Sequence, residues 1–169
     1  MRRLLDALYN SAAAVAALFM VGLLIMVLLS IAGRQLGFHL RGTDAYAGYL
    51  MAGASFLALA HTLKKGEHIR VTLILNALQG GARRALELWS LGLASLLAVL
   101  FAFYSCRLVV QSLEFHDIST GNDATPLWIP QMGMAVGTVV FALAMLDEFV
   151  LEISGRRSEA ASGEMLHNE

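Results

Sequence analysis

The sequence predicts an all-α integral membrane protein with four transmembrane helices and a short amphipathic interfacial helix in the cytoplasmic loop between helices two and three. Three observations support this prediction. The 169-residue chain is 57% hydrophobic, with a mean hydropathy of +0.65, above the apolar share of roughly 45–50% in ordinary soluble domains. Its long uncharged runs suffice to cross a hydrocarbon core of about 30 Å. Its basic residues cluster in segments that would share one membrane side.

The first span is the uncharged run from Ala7 to Gly33, which follows Met1-Arg2-Arg3. At 1.5 Å per residue this run forms a helix of about 40 Å. A signal peptide also starts with basic residues, but its apolar core of roughly 7–15 residues is shorter and ends at a cleavage site. We therefore expect this segment to be retained as a transmembrane helix.

The second span begins at Asp44 and continues to Leu63, where Lys64-Lys65 stops it. Tyr46 and Tyr49 in its first turns suit the membrane interface, where amphipathic rings settle. Arg34 ends the first span, so Arg34 and Asp44 bracket the first outer loop. The two charges either form an interfacial ion pair or are solvated separately, and the sequence leaves both possibilities open.

The segment from His61 to Arg84 is predicted to set the topology. It holds five basic residues next to two spans, and such charge marks the cytoplasmic side. Apolar residues then recur at helical spacing, at Val71, Ile74, Leu75 and Leu78. This pattern predicts a short amphipathic helix on the cytoplasmic membrane surface. The alternative is a cytoplasmic extension of the second span.

The third span runs from about Ala85 to Leu113, with Trp89 at its cytoplasmic end. Arg107 lies near the far end, where its long stem can snorkel to the headgroups or its charge can meet a partner helix. Cys106, the only cysteine, has apolar flanks and is expected to be a core packing residue.

The fourth span opens with the sequence Pro126 to Pro130 and stays uncharged until Asp147-Glu148. Proline is tolerated in the first helical turn, where its missing N–H would be unpaired anyway, and Trp128 suits the interface. Glu148 and Glu152, four residues apart, indicate an exposed helical exit.

The distribution of Lys and Arg predicts that both termini are cytoplasmic. Two basic residues precede the first span, the loop after the third span has none, and two follow the fourth. Residues 1–155 are predicted to form the transmembrane domain, and residues 156–169 a polar cytoplasmic tail that is disordered. A net charge of -1 without a basic face gives no indication of a nucleic-acid partner.

No catalytic, cofactor or metal site is expected. The centres of the predicted spans lack Asp, Glu, Lys and Arg, the residues that mark transport and redox sites in membranes. His61 is the one ionisable residue well inside a span, and we expect it to have a hydrogen-bonding packing role. Adjacent Glu67 and His68 diverge on a helix and have no third ligand, which favours a structural role at the turn or beside Arg70.

Small residues recur throughout the spans, among them Gly53 and the Gly133 to Gly137 GxxxG motif. Such residues let helix backbones approach closely. We expect these helices to pack on one another and on further helices, which favours an accessory or scaffold subunit over a catalyst or a self-contained pump.

Three motifs occur in order within this four-span frame. Arg34 ends the first span and Asp44 opens the second, Gly66-Glu67-His68-Ile69-Arg70-Val71 follows the second, and Pro126-Leu127-Trp128-Ile129-Pro130 opens the fourth. In these motifs, over about residues 5–155, the chain resembles the small membrane subunit (DctQ-type) of tripartite ATP-independent periplasmic (TRAP) transporters. It departs at Thr43-Asp44-Ala45, where members often have a Trp and paired Glu.

The resemblance implies a subunit of the bacterial inner membrane, surrounded by lipid, that scaffolds a large sodium-coupled permease subunit. A periplasmic binding protein would deliver an organic acid, such as a C4-dicarboxylate, a sugar acid or a keto acid. The outer loops around Arg34–Asp44 and Glu114–Pro130 would help to form the docking surface. The predicted structural or partner-interface residues are Arg34, Asp44, Gly53, Glu67, His68, Arg70, Pro126, Trp128 and Pro130.

Two other functions are weighed against this one. A membrane anchor of a respiratory oxidoreductase would use His61 as a haem ligand and would need a second histidine at similar depth. A self-contained exchanger would need a membrane-embedded carboxylate, which the sequence lacks away from the span ends.

Overall fold

The computed structural model describes residues 2–38, 40–65 and 81–154, which form four helices and, within these ranges, no strand. The helices are α1 (Arg2–Leu36), α2 (Thr43–Lys64), α3 (Gly81–Glu114) and α4 (Trp128–Ile153). The all-helical prediction is confirmed. Three of the helices, α1, α3 and α4, are long and apolar enough to cross a membrane by length and composition. Because α2 is not among them, the second predicted span, and with it the total of four spans, is not confirmed.

Several predictions fall on segments that the structure does not describe. The interfacial helix around Val71 to Leu78 lies outside the described residues, as do Glu67, His68 and Arg70. The tail, residues 156–169, also lies outside them.

The helices pack as a row in the order α1, α2, α4, α3. Helix α2 lies against both α1 and α4, and α4 lies against both α2 and α3. One core cluster joins α1, α2 and α4 through Tyr9, Ala12, Ala16, Leu57, Ala60, Val140 and Ala144. A second joins α3 to α4 through Ala98, Ala102, Ala142 and Met145. Most of these side chains are small, so contacts between backbones contribute much of the packing.

The closest approach lies between α2 and α4 at the GxxxG motif. A Cβ atom added at Gly137 would lie 2.5 Å from the carbonyl carbon of Phe56 and 2.8 Å from the nitrogen of Leu57. One added at Gly133 would lie 3.3 Å from the Cα atom of Gly53. Gly53 is buried inside the chain, and on its other side it faces the ring of Phe19 in α1.

The side chains that face away from the row of helices are mostly apolar. Within the most apolar stretch of α1, only 6% of the residues are buried. The exposed side chains of α1 include Leu18, Val21, Leu24 and Leu28. An apolar surface of this extent is unstable in water and stable in lipid. The chain is therefore an integral membrane protein.

Candidate functional site

The loop between α3 and α4 is bound to the start of α2 by hydroxyl groups. The Tyr49 hydroxyl lies 3.0 Å from Asp123 Oδ2 and 2.9 Å from Ser119 Oγ, and Ser119 donates to Asp123 Oδ1 at 2.9 Å. Thr125 Oγ1 donates to the Tyr46 hydroxyl at 3.1 Å. These bonds fix this loop, residues 115–127, on α2, and α2 thereby positions the entry to α4. We call it the outer loop, after the side of the membrane that the sequence predicts for it.

The same loop closes on itself before α4 begins. Ile118 and Pro126 form an isolated antiparallel bridge, in which Ser119 N donates to Thr125 O and Leu127 N donates to Asp117 O, both at 2.9 Å. Helix α4 then starts at Trp128, and Pro130 lies in its first turn. The predicted residues Pro126, Trp128 and Pro130 thus form the link between the outer loop and α4.

Asp123 is the electrostatic centre of this loop. Partial desolvation of its carboxylate raises the pKa, but the hydroxyl groups of Thr125, Ser119 and Tyr49 lower it by more, and the pKa of Asp123 falls to about 2. The carboxylate is therefore ionised at any physiological pH. The sequence shows two tyrosines in α2 and an acidic loop, but no local sequence pattern predicts that they form hydrogen bonds with each other.

A glycine permits the loop to approach the first outer connection. Gly42 has a φ of +82°, in the left-handed region that favours glycine. A Cβ atom added there would lie 2.8 Å from the Cβ atom of Asp123. The two outer loops therefore meet at Gly42 and form one continuous surface.

Arg34 and Asp44 meet on this outer surface. Arg34 Nη2 lies 3.5 Å from Asp44 Oδ2, and Ser30 Oγ donates to Asp44 Oδ1 at 3.0 Å. The two charged side chains are 72% and 79% exposed, and exposed pairs of this kind contribute about 0–1 kcal/mol. The pair lines an open cleft of about 260 Å³ between α1, α2 and the tip of the outer loop. Its exposed polar groups are available to a partner.

A second charged cluster lies at the opposite end of the helices. Lys64 ends α2 and forms ion pairs with Asp147 and Glu148 of α4, the second at 3.7 Å. Its Nζ atom also lies 5.4 Å from the centre of the Tyr9 ring of α1. The side chains of Lys64, Asp147 and Glu148 are only 23%, 23% and 14% exposed. This inner cluster ties together the ends of three helices.

Two sequence expectations are corrected here. Glu148 does not lie on an exposed helical exit, because α2 covers it and Lys64 pairs with it. Cys106 is not a core packing residue; it is exposed on α3, whose buried positions are small residues such as Ala98, Ala102 and Ser105. The sequence does contain a signal for the inner cluster. Lys64 ends the second predicted span, Asp147 and Glu148 end the uncharged part of the fourth, and both ends lie on the same predicted side.

No metal site is evident in the part of the chain that the structure describes, where no three His, Cys, Asp or Glu side chains are close enough to hold an ion. His61 lies partly buried in the last turn of α2. The notable features are therefore two surfaces, an outer one formed by loops and an inner one formed by charged helix ends.

The sequence model of the family described as "Tripartite ATP-independent periplasmic transporters, DctQ component" matches residues 23–155. The matched residues include Arg34 and Asp44, the whole outer loop, and the Lys64, Asp147 and Glu148 side chains of the inner cluster. A comparison with curated proteins finds no match.

Proposed function

Since the chain belongs to the DctQ component family of the tripartite ATP-independent periplasmic transporters, we propose that it is the small membrane subunit of such a transporter. In this function it scaffolds a large sodium-coupled permease subunit in the bacterial inner membrane. A periplasmic binding protein supplies the organic acid, which is a C4-dicarboxylate, a sugar acid or a keto acid. The family match over residues 23–155 carries this proposal.

The distribution of polar groups supports a scaffold without a catalytic site. Charged clusters occur at the two ends of the helices, at Arg34–Asp44 and at Lys64 with its two carboxylates. Between these levels each of the four helices carries a long stretch without Asp, Glu, Lys or Arg, and Arg107, which ends that stretch in α3, is exposed on the surface of the chain. Transport sites in membranes instead use ionisable residues that face a protein interior or an aqueous cavity. The transported acid and the sodium ion are then bound by the large subunit.

The proposed topology has four spans and cytoplasmic termini. Helix α2 extends for about 33 Å and has Asp44 near one end and Lys64 at the other. This length fits a hydrocarbon core of about 30 Å. With α2 as a span, the loop without Lys or Arg is periplasmic and the basic segment from residue 64 onward is cytoplasmic.

The outer surface is proposed as the docking site for the binding protein. It combines the exposed Arg34–Asp44 pair with the loop that Tyr49 and Asp123 hold in place. A rigid, polar surface at a membrane boundary suits a soluble partner that binds and leaves repeatedly, because little conformational entropy is lost on each encounter.

The test is purification of the tagged chain from its native membrane in a mild detergent. We expect one large polytopic membrane protein to co-purify in stoichiometric amount. Identification of the co-purified protein by mass gives its sequence, which then narrows the range of candidate substrates. Recovery of flavin or iron–sulfur subunits instead would reject the transporter and indicate a respiratory anchor.

A further inference from the structure

We propose that the face of α3 around Arg107 binds the large membrane subunit, and that Arg107 pairs there with a carboxylate of that subunit within the membrane. This inference rests on the proposed function, because it names the surface through which the scaffold acts. Four arguments support it: the depth of Arg107, the tilt that helix geometry gives its Cα–Cβ bond, its lack of a partner among the described residues, and the contrast with α1.

The register between helices gives the depth of Arg107. Helices α3 and α4 are antiparallel, with Ser95 Oγ donating to Met145 O at 3.2 Å. Counting along both helices from this contact places Arg107 level with Gly133. Gly133 follows Trp128 by five residues, which is about 8 Å along the helix. Arg107 therefore lies inside the outer interface that Trp128 marks.

Helix α2 gives a second reference for this depth, measured from Asp44 instead of Trp128. Gly133 contacts Gly53, and Gly53 lies nine residues beyond Asp44. This separation corresponds to about 13 Å along α2. Arg107 is thus well below the level of the outer charged groups, at a depth where a charge is costly unless it is paired.

The direction of the helix turns the side chain of Arg107 away from the nearer headgroups. In an α-helix each Cα–Cβ bond is tilted toward the N-terminus. In the proposed topology α3 runs from the cytoplasmic to the periplasmic side, so the side chain of Arg107 starts toward the membrane centre. Snorkelling to the outer headgroups would require the side chain to reverse this direction.

Arg107 is exposed and has no ion-pair partner among the described residues. Charged side chains within membrane spans usually face a protein interior or an aqueous cavity and pair there. Because Arg107 points out of this chain, the protein it faces must be another chain. A carboxylate is the complementary group for a guanidinium and binds it through two parallel hydrogen bonds.

The exposed surfaces of α3 and α1 differ in chemistry. Around Arg107, α3 exposes Phe103, Tyr104 and Leu100, and aromatic residues with arginine are enriched where proteins bind one another. Helix α1 exposes aliphatic side chains and has no charged residue from Ala7 to Gly33. We therefore assign the face of α3 to the large subunit and the face of α1 to lipid.

Photo-crosslinking tests this assignment in the intact complex with Arg107 unchanged. A photoreactive phenylalanine analogue is placed at Phe103 of α3 or at Leu24 of α1, which are 60% and 58% exposed and so serve as a matched pair. We expect the probe at 103 to crosslink the large subunit and the probe at 24 to label lipid alone. Crosslinks to the large subunit from position 24 and not from 103 would overturn the inference.

The role of the charge is tested by Arg107→Leu and Arg107→Lys. Removing the guanidinium leaves the partner carboxylate unpaired in the membrane, so Arg107→Leu should lower recovery of the complex by at least about tenfold. Arg107→Lys should retain part of it. Wild-type recovery with Arg107→Leu, together with labelling of lipid from position 103, would show that Arg107 binds lipid phosphate and would reject the proposal.

The two proposals fail in different ways. If no large membrane protein co-purifies with the wild-type chain, the proposed function is wrong. If it co-purifies but the α3 probe does not reach it, the proposed function stands and the assigned surface is wrong.

Discussion

Replacing Gly137 with alanine places a methyl group where the backbones of α2 and α4 touch. The new Cβ atom would lie 2.5 Å from the carbonyl carbon of Phe56 and 2.7 Å from its oxygen. Both atoms belong to the backbone, so no side-chain rotation relieves the overlap. The helices must separate by about 1 Å to restore an ordinary contact of about 3.5 Å.

This separation weakens the whole interface between the two helices. A gap of about 0.5–1 Å removes a quarter to a half of the attraction in each atomic contact, and the interface includes Leu57, Ala60, Val140 and Ala144. Overpacking typically costs about 1–3 kcal/mol, and a rigid backbone contact favours the upper part of that range. A loss of about 2–3 kcal/mol lowers the unfolding temperature of a chain of this size by about 5–10 °C.

Gly48→Ala is the matched control. A Cβ atom at Gly48 meets nothing within 4 Å, and alanine favours the helix over glycine by about 0.5–1 kcal/mol. We expect thermal unfolding in detergent, followed by tryptophan fluorescence, to show destabilisation by Gly137→Ala and none by Gly48→Ala. An unfolding temperature for Gly137→Ala within about 1 °C of wild type, or equal losses in both variants, would refute the packing argument.

Three further predictions follow from the charged groups. Lys64→Ala should lower the unfolding temperature more than Arg34→Ala. Lys64 forms ion pairs with two half-buried carboxylates, whereas Arg34 pairs with Asp44 on an exposed surface, where such pairs contribute about 0–1 kcal/mol. Equal shifts in the two variants would contradict this prediction. The pKa of Asp123 is about 2 in the folded chain and about 3.9 when unperturbed, so its ionised form stabilises the outer loop above about pH 4, and this stabilisation is lost as the pH falls toward 2. A fluorophore at Asn122→Cys, in a Cys106→Ser background, should respond only in that window, and Asp123→Asn should give the acidic signal at neutral pH; a transition near pH 6 would reject this reasoning. A C-terminal fusion to green fluorescent protein should fluoresce, and a C-terminal reporter active only in the periplasm would overturn the topology.

The existence and approximate bounds of the helices could be predicted from the sequence. Uncharged runs of this length exclude most other structures, and charges or prolines mark their ends. The predicted second span, Asp44 to Leu63, lies within one residue of α2 at each end. The order of helices in the row could not be predicted, because small residues occur on every span and do not specify their neighbours.

The charged contacts were harder to predict because their partners are distant in the chain. The sequence around Lys64 predicts only a topological signal, because the carboxylate that it pairs with in α4 lies more than 80 residues later. If Arg34 pairs with Asp44, the sequence leads us to expect Arg34→Ala to be more harmful than Lys64→Ala, whereas the structure favours the opposite order for the stability of the chain. The two ion pairs differ in how far their side chains are exposed to solvent. That exposure depends on the packing of helices distant in the chain, which a local sequence pattern does not specify.

The position of α2 explains why it lacks a stretch as apolar as those of the other three helices. It lies between α1 and α4 and contacts both, so much of its surface faces protein instead of lipid. Helix contacts within a membrane need small residues that allow close approach, and they do not need large apolar side chains. Gly53, Ala54 and Ala60 supply these contacts, at the expense of hydropathy. The proposed insertion of α2 therefore depends on its neighbours, and a substitution such as Gly137→Ala that forces α4 away should also weaken the hold of α2 in the membrane.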